Sequence, residues 1–177
     1  IIKTFFYTTN MTQDIKASNS KKALNHIIKL MPDCVMLDAN SLKKASVDNL
    51  RIAFPPDAVI RVKEAKQVGH VLRCAHSFNI PITARGAGSS ATGAAVPVSG
   101  GWILDLSLLK TISLNSYSNI VSVGVGVTTE ILQKKMLKKG LFYPPDPSSK
   151  KYSTIGGNIA CNAGGMRCVK YGVTRDY

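Results

Sequence analysis

The chain has 177 residues, of which 45% are apolar and 19% are charged, and its formal net charge is +13. This balance excludes an intrinsically disordered chain and indicates a soluble globular protein of one domain. No apolar run approaches the ~20 residues that cross a bilayer, and Ile1–Tyr7 lacks the apolar stretch of a signal peptide. We therefore expect a cytoplasmic protein without a membrane span, with peripheral contact at a membrane left open. Because the chain begins at Ile1 and stops at Tyr177 without a tail, we expect a fragment of a longer protein.

Cysteines, histidines and lysines suggest neither a metal site nor a nucleic-acid site. The cysteines form no C-x-x-C pair and the three histidines are scattered, so we expect no metal and reduced, interior thiols. The positive charge raises the hypothesis of nucleic-acid binding, but no interleaving of aromatic residues and no recognition motif accompanies the lysines. Lys134, Lys135, Lys138 and Lys139 are better explained as the solvated face of a helix.

Residues 1–54 are predicted to form a helical lead-in. One stripe of apolar side chains at spacings of three and four comprises Ala23, Leu24, Ile27, Ile28 and Met31. Pro32 ends this helix. Residues 33–54 fit neither a helix nor a strand clearly, and we expect a linker there.

From Pro55 onward the pattern predicts a β-α-β unit. Two short β-prone runs, at 58–60 and 82–84, flank a helix over 63–78. The two strands should be parallel, so the loop after the second lies at the edge where open α/β sheets bind ligands. The helix is predicted to bury one face, comprising Ala65, Val68, Val71, Leu72, Ala75 and Phe78.

The next segment is predicted as a meander of three strands followed by a helix. The strand-like runs cover 102–106, 111–114 and 120–125, with Asn and Ser turns between them. A helix over 128–139 follows, with a threonine cap. Its buried side is predicted to comprise Val127, Ile131, Leu132 and Met136.

Two glycine-rich segments, Arg85–Ser90 and Ser153–Gly165, point to a ligand. Both are weak as helices and as strands, so we expect loops that allow close approach to the main chain. Successive N–H groups of the first segment can form an anion-binding nest, with Arg85 anchoring the loop or adding positive potential. An ordinary glycine turn is the alternative for either segment taken alone.

Two common phosphate-binding loops are excluded. The glycine spacing of Gly86–Ala91 is that of a dinucleotide-binding Rossmann loop, but that site requires a helix to begin in the loop. The glycines and proline within residues 93–101 leave no room for such a helix before Trp102. A P-loop needs Gly-Lys followed by Ser or Thr, which this chain lacks.

Four motifs occur in a recognisable order: Arg85–Ser90, Pro144–Ser149, Ser153–Gly165 and Lys170–Tyr177. Together they resemble the FAD-binding domain of the vanillyl-alcohol-oxidase (PCMH-type) flavoproteins. Within that family they are most similar to the branch of the glycolate oxidase flavoprotein subunit and D-lactate dehydrogenase. The resemblance covers residues 55–177, whereas residues 1–54 match the family's helical lead-in only loosely.

The resemblance implies an α+β fold of two subdomains that is incomplete at the C-terminus. One subdomain would hold a small parallel βαβ sheet, the other a mainly antiparallel sheet with helices, and FAD would lie between them. The first motif would bind the pyrophosphate, and Asn158 and Asn162 would supply amide hydrogen bonds. The implied cofactor-binding residues are Arg85, Gly86, Ala87, Gly88, Ser89, Ser90, Pro147, Ser148, Ser149, Thr154, Gly156, Gly157, Asn158, Ala160, Asn162, Ala163 and Gly164.

The resemblance also implies a reaction, in which a 2-hydroxy acid such as glycolate or D-lactate gives a hydride to the flavin. The catalytic groups would lie in a C-terminal cap domain that is missing here, and the partners would be this domain of the same polypeptide or partner subunits. No catalytic residue is therefore assigned, and the fragment alone is expected to be inactive. The electron acceptor is not identified. One alternative is a flavoenzyme of the UDP-N-acetylmuramate dehydrogenase type, although its glycine loop typically continues into Asn-Leu where this chain has Ser90-Ala91. Another is a non-catalytic module that binds flavin or nucleic acid.

Overall fold

The structure is a computed structural model that describes residues 18–177. The sequence interpretation of Ile1–Tyr7 therefore lies outside the described residues. Helix α1 covers residues 18–30 in the described part, and its predicted stripe is confirmed: Ala23, Ile27 and Met31 are buried. A single 3-10 turn, Pro32–Cys34, follows it.

Residues 33–54 are more ordered than the expected linker. They contain strand β1 (Val35–Met36) and helix α2 (Ala39–Ala45). Asp38 caps α2 by accepting a hydrogen bond from the N–H of Ser41 at 3.0 Å. Both elements are too short for a periodic pattern to reveal them.

The main sheet has the strand order β1-β2-β4-β3, with β2 at Ala58–Arg61, β3 at Ile82–Arg85 and β4 at Trp102–Asp105. Strand β4 lies between β2 and β3 and is parallel to both, while β1 is antiparallel to β2. The predicted parallel direction of β2 and β3 is confirmed. The predicted meander is wrong, because β4 leaves it to become a central strand of the parallel sheet.

Helix α3 (Ala65–Ser77) forms the crossover between β2 and β3, as predicted. It packs through Val71, Cys74 and Ala75. Two positions of the predicted apolar face, Ala65 and Leu72, are exposed instead. The helix therefore presents a narrower face to the sheet than its apolar residues suggest.

The second subdomain begins with an antiparallel hairpin of β5 (Ile112–Asn115) and β6 (Ile120–Val123). Its apolar core comprises Val127, Leu132, Met136 and Ile155, whereas Ile131 is half-exposed against expectation. Its helices are α4 (Thr129–Leu137), α5 (Ile155–Cys161) and α6 (Cys168–Tyr171), and a 3-10 turn, Thr174–Asp176, follows.

The surface of this subdomain carries the expected lysine face. All four side chains of the group Lys134–Lys139 that were assigned to it are exposed. The four cysteines are unpaired; Cys34 and Cys74 are buried as expected, but Cys161 is exposed and Cys168 is partly exposed. Residues 18–177 contain no group of three His, Cys, Asp or Glu residues that could hold a metal, and no helix among them is long and apolar enough to cross a membrane.

The two subdomains have separate apolar clusters: two lie at the parallel sheet, and one lies under the hairpin and α4. The fold is thus α+β with a parallel and an antiparallel sheet, as predicted. The loop after β3 and the segment that contains α5 meet between the two subdomains. This placement brings the two glycine-rich segments together.

Candidate functional site

A cleft lies between the two glycine-rich segments and contains about 640 Å³ of empty space that is open to solvent. One wall is the loop that follows β3, and the other is α5 with the turn that precedes it. We call this site the glycine cleft. Its lining residues are Ala84, Gly86, Ala87, Gly88, Ser89, Ser90, Ala94, Ala95, Ser149, Ser153, Thr154, Gly157, Asn158, Ala160, Cys161 and Ala163.

The loop after β3 offers main-chain donors to the glycine cleft. The N–H groups of residues 86–90 donate no hydrogen bond to any part of the chain that the structure describes. Gly88 has φ +65°, a conformation that glycine adopts without a steric cost. No helix begins within residues 86–101, in agreement with the rejection of a Rossmann site. Unpaired N–H groups beside small side chains suit an anion, as the nest interpretation requires.

Arg85 anchors this loop and does not line the cleft. Its guanidinium donates to the carbonyl oxygens of Val47 at 2.8 Å and Ala95 at 2.9 Å, with two longer bonds to carbonyls at the end of α2. Burial lowers the pKa of Arg85, and the charges of Asp105 and Asp48 act in the opposite direction. Of the two roles suggested by the sequence, the structure shows the anchor.

The lead-in also fixes the loop that follows β3, residues 86–101, which we call the glycine loop. The buried carboxylate of Asp48 accepts hydrogen bonds from the N–H groups of Leu50 and Gly93, both at 2.9 Å. The N–H of Asn49 donates to the carbonyl of Ser90 at 2.9 Å. Residues before position 55 therefore help to shape the loop that was assigned to the cofactor.

The second glycine-rich segment is a helix over much of its length, and the prediction of an irregular loop is wrong there. Thr154 caps α5 by accepting a hydrogen bond from the N–H of Gly157 at 3.3 Å. Asn162 ends it in the left-handed conformation, with φ 46°. The prediction depended on the low helix propensity of glycine, about 1 kcal/mol per residue relative to alanine, which tertiary packing overrides here.

The glycines of the two walls serve different contacts. A Cβ on Gly86 would collide with Thr154, so Gly86 allows the two walls to touch. A Cβ on Gly156 would lie 2.8 Å from Cβ of Val125, which places this residue against the second subdomain. Gly157 has only Thr154 near its missing Cβ, at 3.4 Å, and lines the cleft.

The corner at Pro144–Ser149 is fixed by a buried acid. Asp146 accepts a hydrogen bond from Nζ of Lys150 at 2.7 Å, and Nε of Arg167 lies 3.9 Å from its other oxygen. The Lys150 hydrogen bond, with the two positive charges, holds the pKa of Asp146 below its ordinary value. Within this motif, Ser149 reaches the cleft.

Most of the predicted site residues are brought together at the cleft, and some are not. The side-chain amide of Asn162, which was expected to bind the cofactor, accepts a hydrogen bond from the N–H of Arg175 at 2.9 Å through Oδ1. Gly164 packs near Val173 and Cys168. The predicted residues that do not line the cleft are Arg85, Pro147, Ser148, Gly156, Asn162 and Gly164.

The sequence analysis missed several lining residues. They are Ala84, Ala94, Ala95, Ser153 and Cys161. Ser153 and Cys161 lie inside the motif Ser153–Gly165, and the three alanines lie within five residues of Arg85–Ser90, so position near a motif was the available signal. Three are alanines, whose small side chains attract no attention in a sequence but leave room at a surface.

The arrangement fits an extended ligand with a phosphate-bearing part and a part that carries other polar groups. The unpaired N–H groups of residues 86–90 suit phosphate oxygens. On the opposite wall, Ser149, Ser153 and Asn158 offer polar side chains for hydroxyl or amide groups. The glycines and alanines between them allow close approach of a flat or slender group. FAD has all of these parts.

Comparison with known proteins also indicates that the chain binds FAD. Residues 56–177 match the family described as FAD binding domain. The chain is 43% identical over 123 residues to glycolate oxidase subunit GlcD of Bacillus subtilis. The aligned region covers 69% of this chain and 26% of that protein. It is 38% identical over 123 residues to D-lactate dehydrogenase of Anaerostipes hadrus, with the same coverage. The chain thus spans about a quarter of the length of these relatives.

Solved structures share the fold. An alkyldihydroxyacetonephosphate synthase superposes with a TM-score of 0.79 at 23% identity, over 88% of this chain and 34% of the other. A p-cresol methylhydroxylase superposes with a TM-score of 0.71 at 22% identity, over 82% of this chain and 30% of the other. The family match, the identity to the relatives and the shape of the cleft agree. The chain belongs to the PCMH-type FAD-binding domain family, and its cofactor is FAD.

Proposed function

We propose that the protein to which this chain belongs is an FAD-dependent oxidoreductase that oxidises a 2-hydroxy acid such as glycolate or D-lactate. The observation that carries this proposal is the 43% identity to a glycolate oxidase subunit. The 38% identity to a D-lactate dehydrogenase supports the same substrate class. Both relatives are named for the oxidation of a small 2-hydroxy acid.

In this proposal the residues of the glycine cleft bind and orient the cofactor. The N–H groups of residues 86–90 hold the pyrophosphate, and Ser149, Thr154, Gly157 and Asn158 lie along the rest of the molecule. FAD, when bound, supplies the group that accepts the hydride. Arg85 and Asp48 keep the loop in the shape that the phosphate needs, through the bonds described above.

The remaining parts of the enzyme are proposed to lie outside this chain. They are the groups that bind the hydroxy acid and remove its proton, which we assign to a cap domain, and the partner that accepts the electrons. We retain the division into a lead-in at 1–54 and a cofactor domain at 55–177, with the lead-in contributing to the cleft. We also propose a cytoplasmic location, with any membrane contact peripheral, because the four cysteines are unpaired.

The test is to purify the whole protein and record its visible absorption spectrum before and after anaerobic addition of glycolate or D-lactate. We expect a yellow protein whose oxidised-flavin band bleaches with one of these acids and not with L-lactate. Flavin that no 2-hydroxy acid reduces would contradict the substrate class and leave the cofactor assignment intact. A colourless protein that retains nucleic acid in high salt would contradict both.

A further inference from the structure

We propose that Thr129 is a positioning residue of the FAD site, which acts through Asn158. The Thr129 hydroxyl fixes the side-chain amide of Asn158 so that Oδ1 faces the glycine cleft as an acceptor for an N–H or O–H group of the bound cofactor. The proposal rests on FAD binding in this cleft and is independent of the identity of the substrate. Thr129 itself does not line the cleft.

A small buried polar network carries this inference. Thr129 is fully buried, and Ser153 and Asn158 are 5% and 2% exposed. Nδ2 of Asn158 lies 2.7 Å from Oγ1 of Thr129. Oγ1 of Thr129 lies 3.1 Å from the carbonyl oxygen of Ser153 and 3.0 Å from Oγ of Ser153. Ser153 and Asn158 form part of the cleft wall, and Thr129 lies behind them.

The direction of the bond between Asn158 and Thr129 is the step on which the proposal depends. Nδ2 of Asn158 donates to Oγ1 of Thr129 at 2.7 Å, which leaves Oδ1 at the other end of the amide. The Thr129 hydroxyl donates to the carbonyl oxygen of Ser153 at 3.1 Å, and this oxygen also accepts from the N–H of Thr129 at 3.0 Å. Between the hydroxyl oxygens of Thr129 and Ser153, 3.0 Å apart, either group can be the donor.

The consequence for the cleft is an acceptor that has no partner among residues 18–177. Oδ1 of Asn158 receives no hydrogen bond from them, and Asn158 lines the cleft. This wall therefore offers an acceptor at Asn158, whereas the loop at residues 86–90 offers N–H donors. A ligand that fits both must carry acceptors at one part and donors at the other.

In FAD these parts are distinct. The pyrophosphate carries only acceptors, whereas the ribityl and ribose hydroxyls, the adenine amino group and the imide N–H of the flavin ring are donors. We therefore assign Asn158 Oδ1 to a donor of the cofactor outside its pyrophosphate. A buried hydrogen bond of this kind is worth a factor of roughly ten in a dissociation constant.

The experiment measures the dissociation constant of FAD by flavin fluorescence titration on the whole apoprotein. Thr129→Val keeps the side-chain shape and removes the hydroxyl, and we expect roughly tenfold weaker binding. Thr129→Ser restores the hydroxyl and should bind within about twofold of the unaltered protein. Thr128→Val is the matched control, because Thr128 makes no side-chain hydrogen bond to the described residues. It should leave the dissociation constant unchanged.

A double-mutant cycle separates positioning from a purely structural role. If Thr129 acts through Asn158, then Thr129→Val should have no further effect on FAD binding once Asn158→Ala is present. Full additivity of the two changes would overturn the proposal, and so would equal binding by Thr129→Val and Thr128→Val. If Thr129→Val shows no cooperative thermal transition, Thr129→Cys takes its place, since a thiol is a weak acceptor and should give the same direction. Failure of the unaltered protein to bind FAD would instead contradict the cofactor assignment itself.

Discussion

At the level of single residues, the glycine loop is shaped from behind by the Arg85 guanidinium. Gly88 lies directly against that group, and a Cβ added at Gly88 would collide with it. Gly93 has a similar left-handed conformation, with φ +75° against +65° for Gly88, but nothing lies within 4 Å of its missing Cβ. The two glycines therefore share a conformational requirement and differ in their steric surroundings.

This difference predicts unequal effects of the same substitution. Gly93→Ala should cost only the backbone strain of about 1–2 kcal/mol in the free energy of unfolding. Gly88→Ala should cost more, because the methyl group displaces Arg85 from its carbonyl partners, and it should also weaken FAD binding by at least tenfold. Urea unfolding and a flavin fluorescence titration measure the two quantities. Equal losses for both variants would show that the Arg85 contact does not shape the loop.

At the level of elements, α5 shows what local sequence rules could and could not predict. The position of Gly157 at the wall of a cleft was predictable, since the run of small residues has no other clear purpose. The helical conformation of α5 was not predictable, because its glycines have a low helix propensity. Its packing partner Val125 also lies 31 residues before Gly156 in the sequence. Thr154 is a residue type that commonly caps helices, but the residues after it lack the apolar spacing of three and four that would have indicated a helix.

The two adjacent glycines of α5 give a prediction with opposite signs. Gly156→Ala should destabilise the apoprotein, since its methyl group would press on Val125. Gly157→Ala meets only Thr154 Oγ1 at 3.4 Å and gains helix propensity, so the apoprotein should be as stable or up to about 1 kcal/mol more stable. The same methyl group projects into the cleft and should weaken FAD binding. Thermal unfolding of the apoproteins and FAD titration measure these effects. If the Gly157→Ala protein binds FAD as tightly as the unaltered protein, the proposed position of the cofactor along Gly157 is wrong.

At the level of the whole molecule, the strand order of the main sheet, β1-β2-β4-β3, could not be predicted from the sequence. Strand β4 pairs with β3, which lies 20 residues earlier in the chain, and with β2, which lies 44 residues earlier, and a local pattern cannot specify contacts at such separations. One signal was present: all four residues of β4, Trp102–Asp105, are buried without alternation, and Trp-Ile-Leu is a continuous apolar run. Such a run is typical of a central parallel strand that is covered on both faces.

The lead-in is also part of the whole, because α1 contributes to the same apolar cluster as α3 and β4. Ile27 is fully buried in that cluster with Trp102, whereas Leu30, on the same helix, is 49% exposed. Ile27→Ala should therefore lower the free energy of unfolding by about 2–5 kcal/mol, and Leu30→Ala by less than about 0.5 kcal/mol.

Urea unfolding, followed through the fluorescence of the single tryptophan, Trp102, reports on the parallel sheet itself. If α1 belongs to the core of the cofactor domain, the Ile27→Ala transition moves to lower urea in one cooperative step, since loss of α1 packing unfolds the sheet with it. A Trp102 transition that coincides for the Ile27→Ala and Leu30→Ala proteins would mean that α1 unfolds independently. The lead-in would then be a separate folding unit. The hydrogen bond between Asp48 and the N–H of Gly93 in the glycine loop would have to form without the packing of α1.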